Sequence, residues 1–309
     1  MFAEVKKARP SRLYLYQDGA RVGRQDDVKG IEKCREICSD EQIDWECEVH
    51  RFYQEENKGC DPSEYIAQKW MFETEEMGII LEDDDVPSQS FFPYCKELLE
   101  KYKDDTRINM ICGMNNTGIS THIQESYLFT KKGSIWGWAS WKRVLDTWDE
   151  KYTWLKNKKK LALIRSRMKR KEYNIFVKTA KRHFLSGRAH YESINAAAMY
   201  LSDSLNIVPK YNMISNIGVA KESTHSVGDI RLLPKRIQRL FHMRRYEIEF
   251  PLMSPKEIKR DEYFEKKMTF TKSQMFFAKI EHLLRVWKYQ GFKELLKKIK
   301  KKLQERENV

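Results

Sequence analysis

The chain has no apolar run of the roughly eighteen residues that a membrane-spanning helix needs. Residues Met1 to Lys7 lack the apolar core of a secretory leader. None of its cysteines, Cys34, Cys38, Cys47, Cys60, Cys95 and Cys112, forms a CxxC pair. Cys34 and Cys38 stand one helical turn apart with no second pair to complete a zinc site. These absences lead us to expect reduced thiols in a cytoplasmic protein. Internal repeats and low-complexity linkers are also missing, which excludes a solenoid architecture.

The residues that are present can build a sizeable core, with 41% apolar and 12% aromatic residues among 309. That length fits one large domain, or one domain with appendages. Net charge is +13, unevenly spread. Lys156 to Arg188 holds thirteen basic residues and one acidic, Glu172, and Arg231 to Arg245 holds six basic and none acidic. Such asymmetry suits a polyanionic partner: an anionic membrane surface, a phosphorylated substrate or nucleic acid.

Against this basic background stands one acidic block. Glu82, Asp83, Asp84 and Asp85 follow Gly78-Ile79-Ile80-Leu81, an apolar run that reads as a buried strand. Four carboxylates at a strand's carboxyl end repel one another unless a cation or polar ligand sits between them. Strand carboxyl ends are where open α/β sheets bind ligands. Hard oxygen donors without nearby Cys or His suit Mg²⁺ or Mn²⁺. We therefore expect a divalent cation held against a phosphorylated ligand; the plain alternative is a solvated acidic turn.

Periodicity predicts helices over 2–8, 30–38, 63–76, 88–102, 156–186 and 194–201, and strands over 12–16, 43–51, 78–82 and 108–113. Alternation in the first 113 residues predicts an α/β unit with a mostly parallel sheet. Residues 274–303 carry helical apolar spacing with a lysine face and a break at Gly291.

Several motifs occur in one order: Gln17-Asp18-Gly19, Leu81 through Asp85, Phe91-Phe92, Gly113-Met114-Asn115, Tyr127-Leu128-Phe129 and Gly137-Trp138. That order is similar to the GT-A nucleotide-sugar transferases, especially the N-acetylglucosaminyltransferases of N-glycan antenna synthesis and their bacterial relatives. The resemblance covers residues 1–226 and implies a Rossmann-like GT-A domain there, with 227–309 as a basic, mostly helical extension. It implies a UDP-sugar donor, Mn²⁺ (or Mg²⁺), inversion without a covalent intermediate, and a glycan or lipid-linked glycan acceptor. In the family the first strand carries nucleotide contacts and precedes the helix at residues 2–8. The resemblance thus implies either a chain start placed late or a nucleotide half without that strand.

Carried onto this chain, the pattern sets Glu82 toward the donor sugar, Asp83 at the ribose or a metal-bound water, and Asp84 on the metal. Asp85 is a carboxylate beyond the pattern, available to the metal or in support of its ligands. Asp18 falls near the uracil or ribose. The family's base follows the Gly-Trp loop just before a helix; the nearest match is Glu192, which can equally serve the helix dipole. Trp138 reads as a sugar platform or as core. Asn115 reads as a hydroxyl partner or a turn residue. His225 reads as a metal or phosphate contact, or as a solvated loop residue.

Two further functions compete with transfer: metal-dependent phosphodiester or phosphate hydrolysis, and non-catalytic glycan or membrane binding by a truncated relative. A hydrolase usually recruits a second acidic cluster, and the sequence displays none. The final helix pairs an apolar stripe with lysines, which suits an anionic membrane surface. Nucleic acid is disfavoured, because aromatics are not interleaved with the basic residues.

Overall fold

The computed structural model describes residues 1–218 and 229–307. Helix α1 (Phe2–Ala8) closes on Arg9, whose backbone turns left-handed just before Pro10. Strand β1 (Arg12–Gln17), helix α2 (Gln25–Ile37) and strand β2 (Glu48–Tyr53) form the first unit. β1 and β2 pair in parallel, from Arg12 opposite Glu48 to Gln17 opposite Tyr53, as a sheet of their own. Helix α3 (Cys60–Thr74), strand β3 (Met77–Ile80), the short strand β4 (Asp85–Pro87), helix α4 (Phe91–Lys101) and strand β5 (Ile108–Cys112) follow.

Next come β6 (Tyr127–Thr130), β7 (Trp138–Trp141) and the single turn α5 (Lys142–Leu145). The basic stretch folds as α6 (Lys158–Arg167) and α7 (Arg170–Ser186), and α8 (Tyr191–Ser202) leads into β8 (Leu205–Pro209) and β9 (Ile214–Asn216). The chain ends with α9 (Lys235–Gln238), α10 (Glu262–Met268), α11 (Lys272–Gln290) and α12 (Phe292–Glu307). Among the described residues no helix is long and apolar enough to cross a membrane.

The central sheet corrects the expected parallel arrangement. Its five strands run β3-β7-β5-β8-β6, and only β5 and β8 pair in parallel; β3·β7, β5·β7 and β6·β8 are antiparallel. The reason lies in the connections. Parallel neighbours need a long crossover, and the α5–α8 region supplies one between β5 and β8. β6 and β7 are reached through loops without such a crossover, and they enter antiparallel.

The core forms where α4 lies on this sheet. Phe91, Tyr94, Cys95 and Leu98, at helical spacing, are fully buried against β5. Arg143 ties the region together from beneath. Its guanidinium donates to the carbonyls of Tyr102, Lys103, Asp105 and Ile108, satisfying the turn between α4 and β5.

Part of the segment after residue 226 packs into the core of the sheet. Leu252 and Phe264 are buried in the same cluster as the sheet. The amides of His242 and Tyr246 donate to the carbonyls of Asn216 and Asn212. The carboxylate of Glu247 accepts from the Gln89 and Ser90 amides. Buried Glu265 accepts from the Lys131 amide at 2.7 Å and the Thr130 hydroxyl at 3.0 Å, and is paired with Arg260.

Residues 241–268 therefore unfold with the sheet. Glu265→Ala should lower the free energy of one cooperative denaturant transition by about 2–3 kcal/mol, because it strands an amide and a guanidinium. Two separate transitions in chemical denaturation would refute the shared core.

Candidate functional site

The acidic block sits where β3 ends and β4 begins. β4 pairs antiparallel with β9, and the register sets Asp85 opposite Asn216. That pairing decides the local geometry. Asn216 Nδ2 donates to Asp84 Oδ1 at 2.7 Å and to Asp85 Oδ1 at 3.2 Å. The second oxygen of Asp85 accepts from the Gly137 amide at 2.7 Å and the Glu82 amide at 3.4 Å.

Gly137 reaches this position with φ 60°, and a Cβ there would lie 2.4 Å from Ile214 Cδ1. Only glycine lets the amide come so close. Asp85 is fully buried and both of its oxygens are engaged. Of the two roles expected of it, metal ligand or support for the ligands, these contacts match the second: it braces the turn. Burial, with Asp84 beside it, pushes its carboxyl up to about 7.

Asp84 keeps one oxygen outside the Asn216 bond. That Oδ2 points at Gly218, where an added Cβ would stand 1.7 Å away. Asp83 is exposed, and its charge acts on Cys34 of α2. Glu82 turns inward beneath Tyr191. The Tyr191 hydroxyl donates to Glu82 Oε1 at 3.5 Å, while its ring stacks with Trp138 and Trp148. Desolvation first, then Asp85 and Glu64, raise the Glu82 carboxyl to about 9.

Two elements outside the acidic block bring further titratable groups into its field. The first two turns of α3 contribute Asp61 and Glu64, and the start of α8 contributes His190 and Glu192. Glu64 is pushed up to about 7 by burial, and lies in the field of Glu192, Asp61 and Asp84. His190 Nδ1 meets Asp61 Oδ1 at 3.0 Å, and its Nε2 meets Ser186 Oγ at 3.1 Å. One ligand atom from each of Asp61, His190 and Glu192 lies within 4.8 Å of the others, a spacing that can hold a metal ion. A groove of about 630 Å³ opens over these three; Arg182 and His183 of α7 also line it, the His183 ring stacked on His190 at 3.8 Å.

The structure thus brings Glu192 into the field around Glu82, Asp84 and Asp85, from which it stands more than a hundred residues away in sequence. It does not add the other candidates. Trp138 is 1% exposed and leaves no ring face for a sugar, so the core reading replaces the platform. Asn115 is fully buried. Its amide donates to Ser120 Oγ and to the Pro209 and Lys210 carbonyls, while its oxygen accepts from Thr117. This corrects its assignment to donor sugar. Asp18 accepts from the amides of Gly19, Lys58 and Gly59 and from Asn57 Nδ2, locking the β1 loop onto the segment before α3. His225 lies outside the described residues.

Asp61, Glu64 and His190 were absent from the sequence reading. Their signal was present but faint: Asp61 and Glu64 stand three apart in one helical turn after Gly59, and His190 precedes Glu192 by two. Chemically the cleft fits a hard divalent cation. Its carboxyls are desolvated, they raise one another, and no lysine or arginine among the described residues pairs with Glu64, Glu82 or Asp84.

The direction of pH dependence follows. Glu64, Glu82 and Asp85 hold protons in the folded state that the unfolded chain has already released. Their stabilising contribution is complete below about pH 4 and is lost as pH climbs through about 7 to 9. In chelator, the melting temperature should therefore fall across that window. Added Mn²⁺ should restore it, most strongly at the alkaline end where protons no longer compete. A Mn²⁺ effect independent of pH in thermal melts would contradict this account.

No protein-family model and no curated protein sequence matches this chain.

Proposed function

We propose that the protein is a metal-dependent inverting glycosyltransferase that moves a sugar from a UDP-sugar to a glycan or lipid-linked glycan. One observation carries the reading. Carboxylates from the β3–β4 turn, α3 and α8 lie close enough to raise one another's pKa, in a chain of net charge +13. The cleft repels anions unless a cation accompanies them, and a nucleoside diphosphate with Mn²⁺ meets that condition.

In this reading Asp84 would hold the cation, with Asp83 beside it toward the ribose. A cation held there would supply charge neutralisation for a departing diphosphate. Glu82, raised to about 9, is protonated at neutral pH and donates a hydrogen bond to a sugar hydroxyl. Glu192, at the lip of the groove, takes the acceptor hydroxyl proton as that oxygen bonds to the anomeric carbon and the bond to the phosphate oxygen breaks. Asp85 and Asn216 keep Asp84 oriented; neither touches the reactants.

A second reading is favoured by the cluster of Asp61, His190 and Glu192. A second cation there would make a two-metal hydrolase of phosphodiesters or phosphate esters.

Calorimetry and turnover separate the two. The transferase reading expects Mn²⁺-dependent UDP binding that Asp84→Asn abolishes. Glu192→Gln should leave UDP binding intact and slow transfer by about 10²–10⁴-fold. Mn²⁺-dependent cleavage of bis(p-nitrophenyl) phosphate without UDP binding would establish the hydrolase instead. Unchanged turnover in Glu192→Gln would remove that residue from the mechanism.

A further inference from the structure

Residues 272–300 carry eight basic side chains against two acidic ones, Glu281 and Glu294. Those two are taken up locally: Glu281 pairs with Arg285 at 2.9 Å and Glu294 with Lys297 at 3.7 Å. Helix α11 opens with a reciprocal cap between Thr271 and Gln274 and stops at Gly291, whose φ of 85° suits glycine. One side of α11 lies on the rest of the protein. Val286 is buried there, His282 Nδ1 meets the Leu232 carbonyl at 2.8 Å, and Arg285 donates to the Arg231 carbonyl.

An ordinary surface helix is polar on its remaining sides. This one carries a second apolar stripe. Phe276, Phe277, Ile280, Leu284 and Trp287 are 38–65% exposed. At 3.6 residues per turn they share an arc of about 100°, turned away from Val286 and His282. Phe292 and Leu296, one helical turn apart on α12, are exposed as well. Lys279 and Lys288 border the α11 stripe on either side, and Lys293, Lys298 and Lys300 extend the charge along α12.

We propose that this stripe docks on an anionic lipid bilayer, with α11 lying in the plane of the interface. Apolar side chains at the centre and lysines at both borders match the layering of that surface, acyl chains below and anionic headgroups beside them. Trp287 is the residue type that favours the headgroup level. A second copy of the chain is a poorer occupant, because it would set one lysine border against another. The proposal is independent of the catalytic reading, since α11 contributes no residue to the acidic cleft.

Vesicle flotation tests it with the full chain. The protein should float with phosphatidylcholine vesicles containing phosphatidylglycerol, and much less with phosphatidylcholine alone. Flotation should weaken as salt is raised. Phe276→Ser with Phe277→Ser and Trp287→Ser should reduce bound protein at least about tenfold without altering the melting temperature, because all three side chains are exposed. Lys279→Glu with Lys288→Glu should abolish the preference for the anionic vesicles. Bilayer insertion should also quench Trp287 with acyl-chain-brominated lipid, a signal lost in Trp287→Phe.

Failure to float, or equal flotation of the triple variant, overturns the proposal. So does concentration-dependent dimerisation that the triple variant abolishes in a protein that never floats, since the stripe would then cover a second copy.

Discussion

The structure around the cleft depends on the burial of Asp85. A carboxylate is costly to desolvate unless hydrogen-bond donors surround it, and this one has the Gly137 amide, the Glu82 amide and Asn216. Those donors come from three distant parts of the chain. The Gly137 amide is delivered by the entry to β7, and its carbonyl in turn accepts from Gly113 after β5. Asn216 is delivered by the pairing of β9 with β4. One buried acid therefore fixes the acidic turn against the central sheet, and through Asn216 it also sets the orientation of Asp84.

The same low-dielectric setting shapes the electrostatics of the cleft. Glu82 lies under the Tyr191 ring, which is stacked with Trp138 and Trp148, and its carboxyl rises more than its neighbours'. Glu64 and Asp85 rise less. A gradient of carboxyl acidity across a few residues lets one group stay protonated while another stays charged. Arg182 of α7 also lines the groove and adds positive charge, while His183 stacks on His190 and is held toward its neutral form by burial. The groove is thus polar in the directional sense, acidic at α3 and α8 and basic at α7.

The legible part of this protein was whatever rests on local pattern. Phe91, Tyr94, Cys95 and Leu98 declared the buried face of α4 by their spacing, and Gly291 declared the break between α11 and α12. The acidic block announced itself through its abrupt contrast with Gly78 to Leu81. Strand direction was not legible, because apolar runs such as Ile108–Cys112 read alike in parallel and antiparallel sheets. Trp138 and Asn115 were ambiguous for a related reason. A tryptophan beside glycine or an asparagine after a strand can face a ligand or the interior, and its neighbours in space decide which.

What the sequence alone determined is the inventory: a basic chain with one acidic block, an α/β pattern, and a terminal helix of apolar residues and lysines. These follow from composition and short periodicity, which need no knowledge of remote contacts. Only the tertiary structure decided that Asp85 braces while Asp84 turns one oxygen to Asn216 and the other toward Gly218, that Asp61, Glu64 and His190 join Glu192, and that α11 carries an apolar face turned from the core. Each of those outcomes depends on pairings between residues tens to more than a hundred positions apart. Hydrogen-bond register and burial, rather than residue type, set them.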